Sequence, residues 1–227
     1  MLAEDHLKLS VFSSVILFGW LFFQNAIIFA AILGGVVIGC FLPDTDLPKS
    51  KIDSMKGIAG FFGIFSKHIL NPLVTLIFEF LLKQPIEQRH RGITHTIYGI
   101  LTYCLLIEVI SLPILFWSGM VGSFVIYSFF VFGLLFGGML HLMEDSCTKT
   151  GITPFYPLNQ IKKYSGNIST FDPNERRPKY YFMLLLMITG FLLYIQFILK
   201  YPLGVNIFLS VVSFLFVWTM IIWISKK

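Results

Sequence analysis

The sequence predicts an all-α fold: a polytopic membrane helix bundle of six spans, with one further interfacial or re-entrant helix. Three observations predict it. Of 227 residues, 56% are hydrophobic and 13% charged, about half the charged fraction of a soluble domain. Seven apolar runs cover 9–23, 26–42, 69–82, 97–117, 122–143, 181–199 and 203–223, and several approach the roughly 20 residues that a helix needs to cross a bilayer. The basic residues are also unevenly placed among the links between these runs.

The first run follows Glu4 and Asp5, and no small-residue cleavage site comes after it. It reads as a retained helix, not a signal peptide. Gln24-Asn25 reads as a tight turn before the second run, with one long tilted helix over 9–42 as the alternative. The third run, with its leader 61–82, holds Lys67, His68, Asn71, Pro72 and Glu79. Charges at mid-bilayer are costly, so 57–82 is assigned to the interface. In the run 97–117, Glu108 is a functional candidate as an intramembrane acid. Pro113 is read instead as an early helix end, which puts Glu108 near the outer surface. All of 1–227 forms a single integral membrane domain. The motifs lie in 1–160, and 161–227 carries a basic loop and the last two helices. Cys40, Cys104 and Cys147 form no CxxC pair, so a disulfide framework or Cys-rich zinc site is not expected. Cys147 is weighed as a nucleophile and set aside.

If 61–82 does not cross, one face holds 1–8, 43–96, 144–180 and 224–227. Sixteen of the seventeen Lys and Arg lie there, and Lys200 alone lies opposite. Basic short loops stay cytoplasmic, so both termini and all long loops are expected in the cytoplasm. The net charge of +5 reads as attraction to anionic or phosphate-bearing membrane lipids. Nucleic acid is not expected as a partner.

The polar motifs then fall on one face. His6 precedes the first span. "CFLPDTDLPKS" (40–50) ends the second, with Asp44 and Asp46 two apart. "RHRGITHT" (89–96) leads into the third and holds His90 and His95. "HLMEDSCTKTG" (141–151) ends the fourth, where His141 and Asp145 share a helix face at spacing four. Mixed imidazole and carboxylate donors suit Zn first, with Mn or Fe as alternatives. The seven candidate ligands, His6, Asp44, Asp46, His90, His95, His141 and Asp145, are enough for one or two divalent ions. Paired ions of this kind serve ester hydrolysis. Arg89 and Arg91 are candidates for holding phosphate oxygens, and Glu144 for moving the proton. Gly35/Gly39 and Gly133/Gly137 have the small-xxx-small spacing that lets membrane helices approach. They bring the second and fourth spans together.

On His6, "LPDTDLPKS", "HRGITHT" and "HLMEDSCTKTG" followed by proline, the chain resembles the YdjM-type membrane-bound metal-dependent hydrolases of bacterial and archaeal inner membranes. The resemblance covers roughly the first 160 residues. Thr96 stands where a Ser is more usual. What the resemblance implies is metal-assisted hydrolysis of an undefined substrate. The expected function is therefore a membrane-bound metal-dependent hydrolase. Its substrate class is a phosphoester or other ester of a lipid or lipid-linked molecule at the cytoplasmic face. A non-enzymatic metal-binding scaffold or regulator, and a metal or ion transporter, are the alternatives. The phosphohistidine lipid-phosphatase signatures and HExxH are both missing from the sequence.

Overall fold

A computed structural model describes residues 3–46, 52, 56–86, 91–119, 121–159, 162–170, 172 and 174–226. Helix α1 (Ala3–Phe22) and helix α2 (Ala26–Gly39) form a hairpin. Asn25 closes it: its side chain accepts from the Ile28 N–H at 3.1 Å, an N-cap that starts α2 afresh. The single long helix over 9–42 is thereby excluded. A short turn, Pro43–Asp46, follows α2.

Helix α3 (Ile58–Phe65) runs through a wide turn, Ser66–Leu70, into α4 (Asn71–Leu82). Thr96 caps α5 (Ile97–Trp117) by accepting from the Gly99 N–H at 2.9 Å. Helix α6 is Phe124–Ser146 and α7 is Arg177–Tyr194, the latter prolonged by Ile195–Leu199; α8 is Leu203–Ser225. Among the described residues, seven helices are long and apolar enough to cross a membrane, Ala59–Leu82 among them. The described residues contain no strand, only isolated bridges of Thr148 with Ile168 and Ile152 with Tyr164.

Helices α2 and α6 touch through their glycines, as the spacing predicts. A methyl group at Gly35 would overlap the Phe130 carbonyl oxygen, and one at Gly133 the Ile32 carbonyl oxygen. Only hydrogen side chains let the two backbones lie this close. Helix α6 then separates two apolar cores. One gathers Phe41, Leu42, Leu70, Val74, Ile100 and Leu134. The other gathers Leu9, Ile16, Leu140, Leu185, Trp218 and Ile221. Outside them large apolar side chains are exposed, such as Leu105, Phe116, Met187 and Phe208, as lipid contact requires.

The rod α3–α4 decides the topology. Asp44 and Asp46 follow α2, and His95 precedes α5, yet these residues meet (below). One full crossing by the intervening rod would carry the chain to the opposite end of the bundle. Its midpoint instead packs at the meeting place, where Thr45 Oγ1 lies 3.4 Å from Asn71 Oδ1 and Leu70 and Val74 are fully buried. Its first half leans against α6 through the Phe62 and Phe130 rings, 5.8 Å apart. These contacts put the midpoint of the rod at the same end of the bundle as Asp44 and His95, although its length and apolarity match a span.

One expectation fails. Pro113 does not end its helix: α5 continues through it to Trp117. Proline leaves the Val109 carbonyl, one turn back, without its helical donor, and in a membrane helix neighbouring groups readily satisfy such a carbonyl. Glu108 thus sits mid-helix, not near a helix end, and its Oε1 accepts from Ser128 of α6 at 3.2 Å.

The described parts of the loop between α6 and α7 close the same end of the bundle. The Ile97 N–H donates to the Pro154 carbonyl at 2.9 Å, and the Asn167 N–H to the Ser225 carbonyl at 2.6 Å. The start of α5 and the end of α8 are both tied to it.

Candidate metal centre

Four separate stretches converge at this end. His6 comes from the first turns of α1, Asp44 from the turn after α2, His95 from the turn before α5, and His141 and Asp145 from the last turns of α6. His6, His95, His141 and Asp145 are at most 2% exposed. The Asp44 side chain, at 23%, forms the open rim.

Each histidine is held by one ring nitrogen. His141 Nδ1 lies 2.7 Å from the Cys40 carbonyl oxygen. His6 Nδ1 lies 2.5 Å from Glu144 Oε2, and Ser10 donates to the other Glu144 oxygen at 3.0 Å. His95 Nδ1 lies 3.1 Å from Thr94 Oγ1 and 3.5 Å from Asp46 Oδ2. This is the arrangement in which outer partners orient metal-binding imidazoles.

The three Nε2 atoms point at two carboxylates. His95 Nε2 lies 3.4 Å from Asp44 Oδ1 and 3.8 Å from Asp145 Oδ2. His141 Nε2 lies 3.8 Å from Asp44 Oδ1 and 3.7 Å from Asp145 Oδ2. His6 Nε2 lies 3.7 Å from Asp145 Oδ1. The rings of His6 and His141 stack with centroids 4.1 Å apart. Two overlapping triads result, His6/His141/Asp145 and Asp44/His95/His141.

These separations fit a shared cation. Two donors each about 2.0–2.1 Å from a tetrahedral zinc lie roughly 3.3 Å apart. A hydrogen bond would be shorter than the distances found. The tautomer of His141 sharpens the point. A carbonyl can only accept, so Nδ1 carries the hydrogen and the neutral ring turns the Nε2 lone pair inward. That atom is buried and has no hydrogen-bond partner. Lone pairs of imidazole and carboxylate thus face each other in a buried space, and a cation between them resolves the conflict. The carboxylates draw positive charge to this place: burial opposes protonation of His95, but Asp44 and Asp46 outweigh burial and lift the imidazole to about 9, and an ion bound there would displace that proton.

A family model for YdjM inner membrane protein matches residues 1–226. The chain belongs to the YdjM inner membrane protein family. The YdjM match takes in the last two helices, beyond the 160 residues on which the motifs lie. No curated protein and no solved structure matches the chain.

Not every expected site residue turns inward. Asp46 stands behind His95: its Oδ2 accepts from the Arg91 N–H at 3.1 Å and from Thr94 at 3.0 Å. Glu144 stands behind His6. Arg91 faces protein groups, donating to Asp145 Oδ1 at 2.8 Å, to the Gly151 carbonyl at 3.0 Å and to Thr150 Oγ1. Its left-handed backbone, φ 61°, swings the side chain into this position. Arg89 and His90 lie outside the described residues. Cys147 is buried, and burial pushes its thiol up, away from nucleophilic use. The sequence reading overlooked Ser10 and Thr94. Ser10 follows His6 by one helical turn, and Thr94 adjoins His95, so both signals were present.

Proposed function

We propose that this protein is a membrane-bound metal-dependent hydrolase. Its substrate is a phosphoester or other ester of a lipid or lipid-linked molecule, cleaved at the cytoplasmic face. The observation that carries the reading is the buried meeting of three imidazole Nε2 atoms with Asp44 and Asp145. His6, His95, His141, Asp44 and Asp145 hold one or two divalent ions, zinc first by donor chemistry. When bound, such an ion polarises an ester oxygen and acidifies a water. Glu144, Ser10, Thr94, Asp46 and the Cys40 carbonyl orient the imidazoles. Arg91 neutralises part of the charge on Asp145. Asp44, on the rim, marks the side from which substrate enters. The cytoplasmic placement rests on the sixteen basic residues at one face against Lys200, and it puts both termini inside.

Elemental analysis of the purified protein tests the centre, and turnover of phospholipids and isoprenyl phosphates with and without chelator tests the reaction. Absence of a transition metal sinks the centre. Metal without turnover of any ester leaves the second reading, a metal-stabilised scaffold. That reading is favoured by one observation: four of the five inward residues are at most 2% exposed, as in closed structural sites. A transporter is disfavoured, because its ligands belong at mid-membrane on broken helices and these lie at helix ends.

A further inference from the structure

At the opposite end of the bundle the structure has a second polar place. An open pocket of about 460 Å³ lies between the end of α1, the end of α7 and the start of α8, lined by Trp20, Gln24, Gln196, Lys200, Tyr201 and Asn206 among others. Gln196 and Asn206 are 8% and 9% exposed. Their amide oxygens, Oε1 and Oδ1, are buried and accept no hydrogen bond. Asn206 has its donor engaged, on the Tyr201 carbonyl at 3.0 Å, and both amide side chains belong to the pocket lining. Gln196 lies in the wide turn Ile195–Leu199, a distortion frequent at functional sites. Lys200 forms no ion pair with any acid among the described residues. An apolar groove of about 570 Å³ adjoins the pocket. The two share Phe23 and Phe197, whose rings stand 6.1 Å apart at the boundary.

We infer that this pocket and groove bind a phospholipid whose headgroup carries a primary ammonium beside its phosphate. Two buried acceptors without partners call for hydrogen-bond donors, and an ammonium offers three that are strengthened by its charge. Lys200 takes the phosphate. The groove beyond Phe23 and Phe197 takes an acyl chain. A quaternary ammonium offers no N–H, and a glycerol headgroup offers no cation, so both fit less well. The site is independent of the metal centre at the other end.

The test uses the full-length protein, delipidated in detergent, with native mass spectrometry against phosphatidylethanolamine, phosphatidylcholine and phosphatidylglycerol of matched chains. Retention of the ethanolamine lipid should exceed that of the choline lipid about ten-fold, the scale of one hydrogen bond to a charged group. Lys200→Met should weaken the ethanolamine and glycerol lipids together. Gln196→Leu should erase the ethanolamine preference, whereas Gln196→Glu, which keeps the acceptor and adds charge, should increase it. Equal retention of ethanolamine and choline lipids, or a preference for the glycerol lipid, overturns the inference. So does a preference that neither Gln196 variant alters.

Discussion

The ring of His141 on α6 is anchored by the backbone carbonyl of Cys40 at the end of α2, 2.7 Å away. The bond joins the two helices that the glycines bring together. It also dictates which nitrogen of His141 is left for a ligand. Helix packing and site chemistry are therefore one feature here, and variants of either should disturb both.

Gly35→Ala places a methyl group against the α6 backbone. Overpacking of this kind costs about 1–3 kcal/mol. The melting temperature in detergent should fall, and bound metal should fall with it, although no site residue is touched. Gly204→Ala is the control, because a methyl there meets nothing within 4 Å. Equal metal content in the two variants would contradict the coupling.

His141→Ala removes the residue common to both triads. Metal stoichiometry, measured by elemental analysis, should drop to background, and turnover should be lost while the protein remains inserted. Asp46→Asn, behind His95, should weaken metal binding without abolishing it. If both variants kept full metal, the donor set would be wrong.

Glu144→Gln separates orientation from proton transfer. A group that orients His6 costs about 10–100-fold in metal affinity when altered, and excess metal should restore turnover. A proton shuttle would instead leave metal content intact and lower kcat irreversibly. Affinity and kcat measured across a metal titration decide between the two.

Arg91→Met leaves Asp145 buried with its nearest cation gone. Breaking a buried pair costs about 3–5 kcal/mol, reduced here because the Arg91 side chain is 19% exposed. The loss should be largest in chelator and should shrink when metal is added, since the ion also neutralises Asp145. Melting curves with and without chelator check this, and a loss that is the same in both conditions would count against an ion at Asp145.

The loop over the site has its own pH dependence. The Arg177 side chain, hydrogen-bonded to Glu175 at 2.8 Å, holds that carboxyl down at about 2, against about 4.3 for an ordinary glutamate. A depressed folded value stabilises the protein above the ordinary value, and that stability is lost as pH falls toward 2. Wild type should therefore outlast Glu175→Gln in thermal melts at pH 6, and the gap should narrow steadily below pH 4. A gap that widens on acidification would show that another group controls the loop.

The sequence by itself pointed to the membrane class, the α2–α6 glycine contact and the gathering of His6, Asp44, His95, His141 and Asp145, and it left the turn at Gln24-Asn25 open against one long helix. The first three follow from local composition and spacing: apolar length, small residues four apart, ligands at helix ends. Tertiary structure alone decided the rest. It put Asp46 and Glu144 behind their histidines, turned Arg91 onto Asp145, and continued α5 past Pro113. Residue type says that a carboxylate can bind a metal or orient an imidazole. Which of the two it does depends on the side of the ring it occupies, and that is set by how α1, α2, α5 and α6 pack, not by the spacing of residues along any one of them.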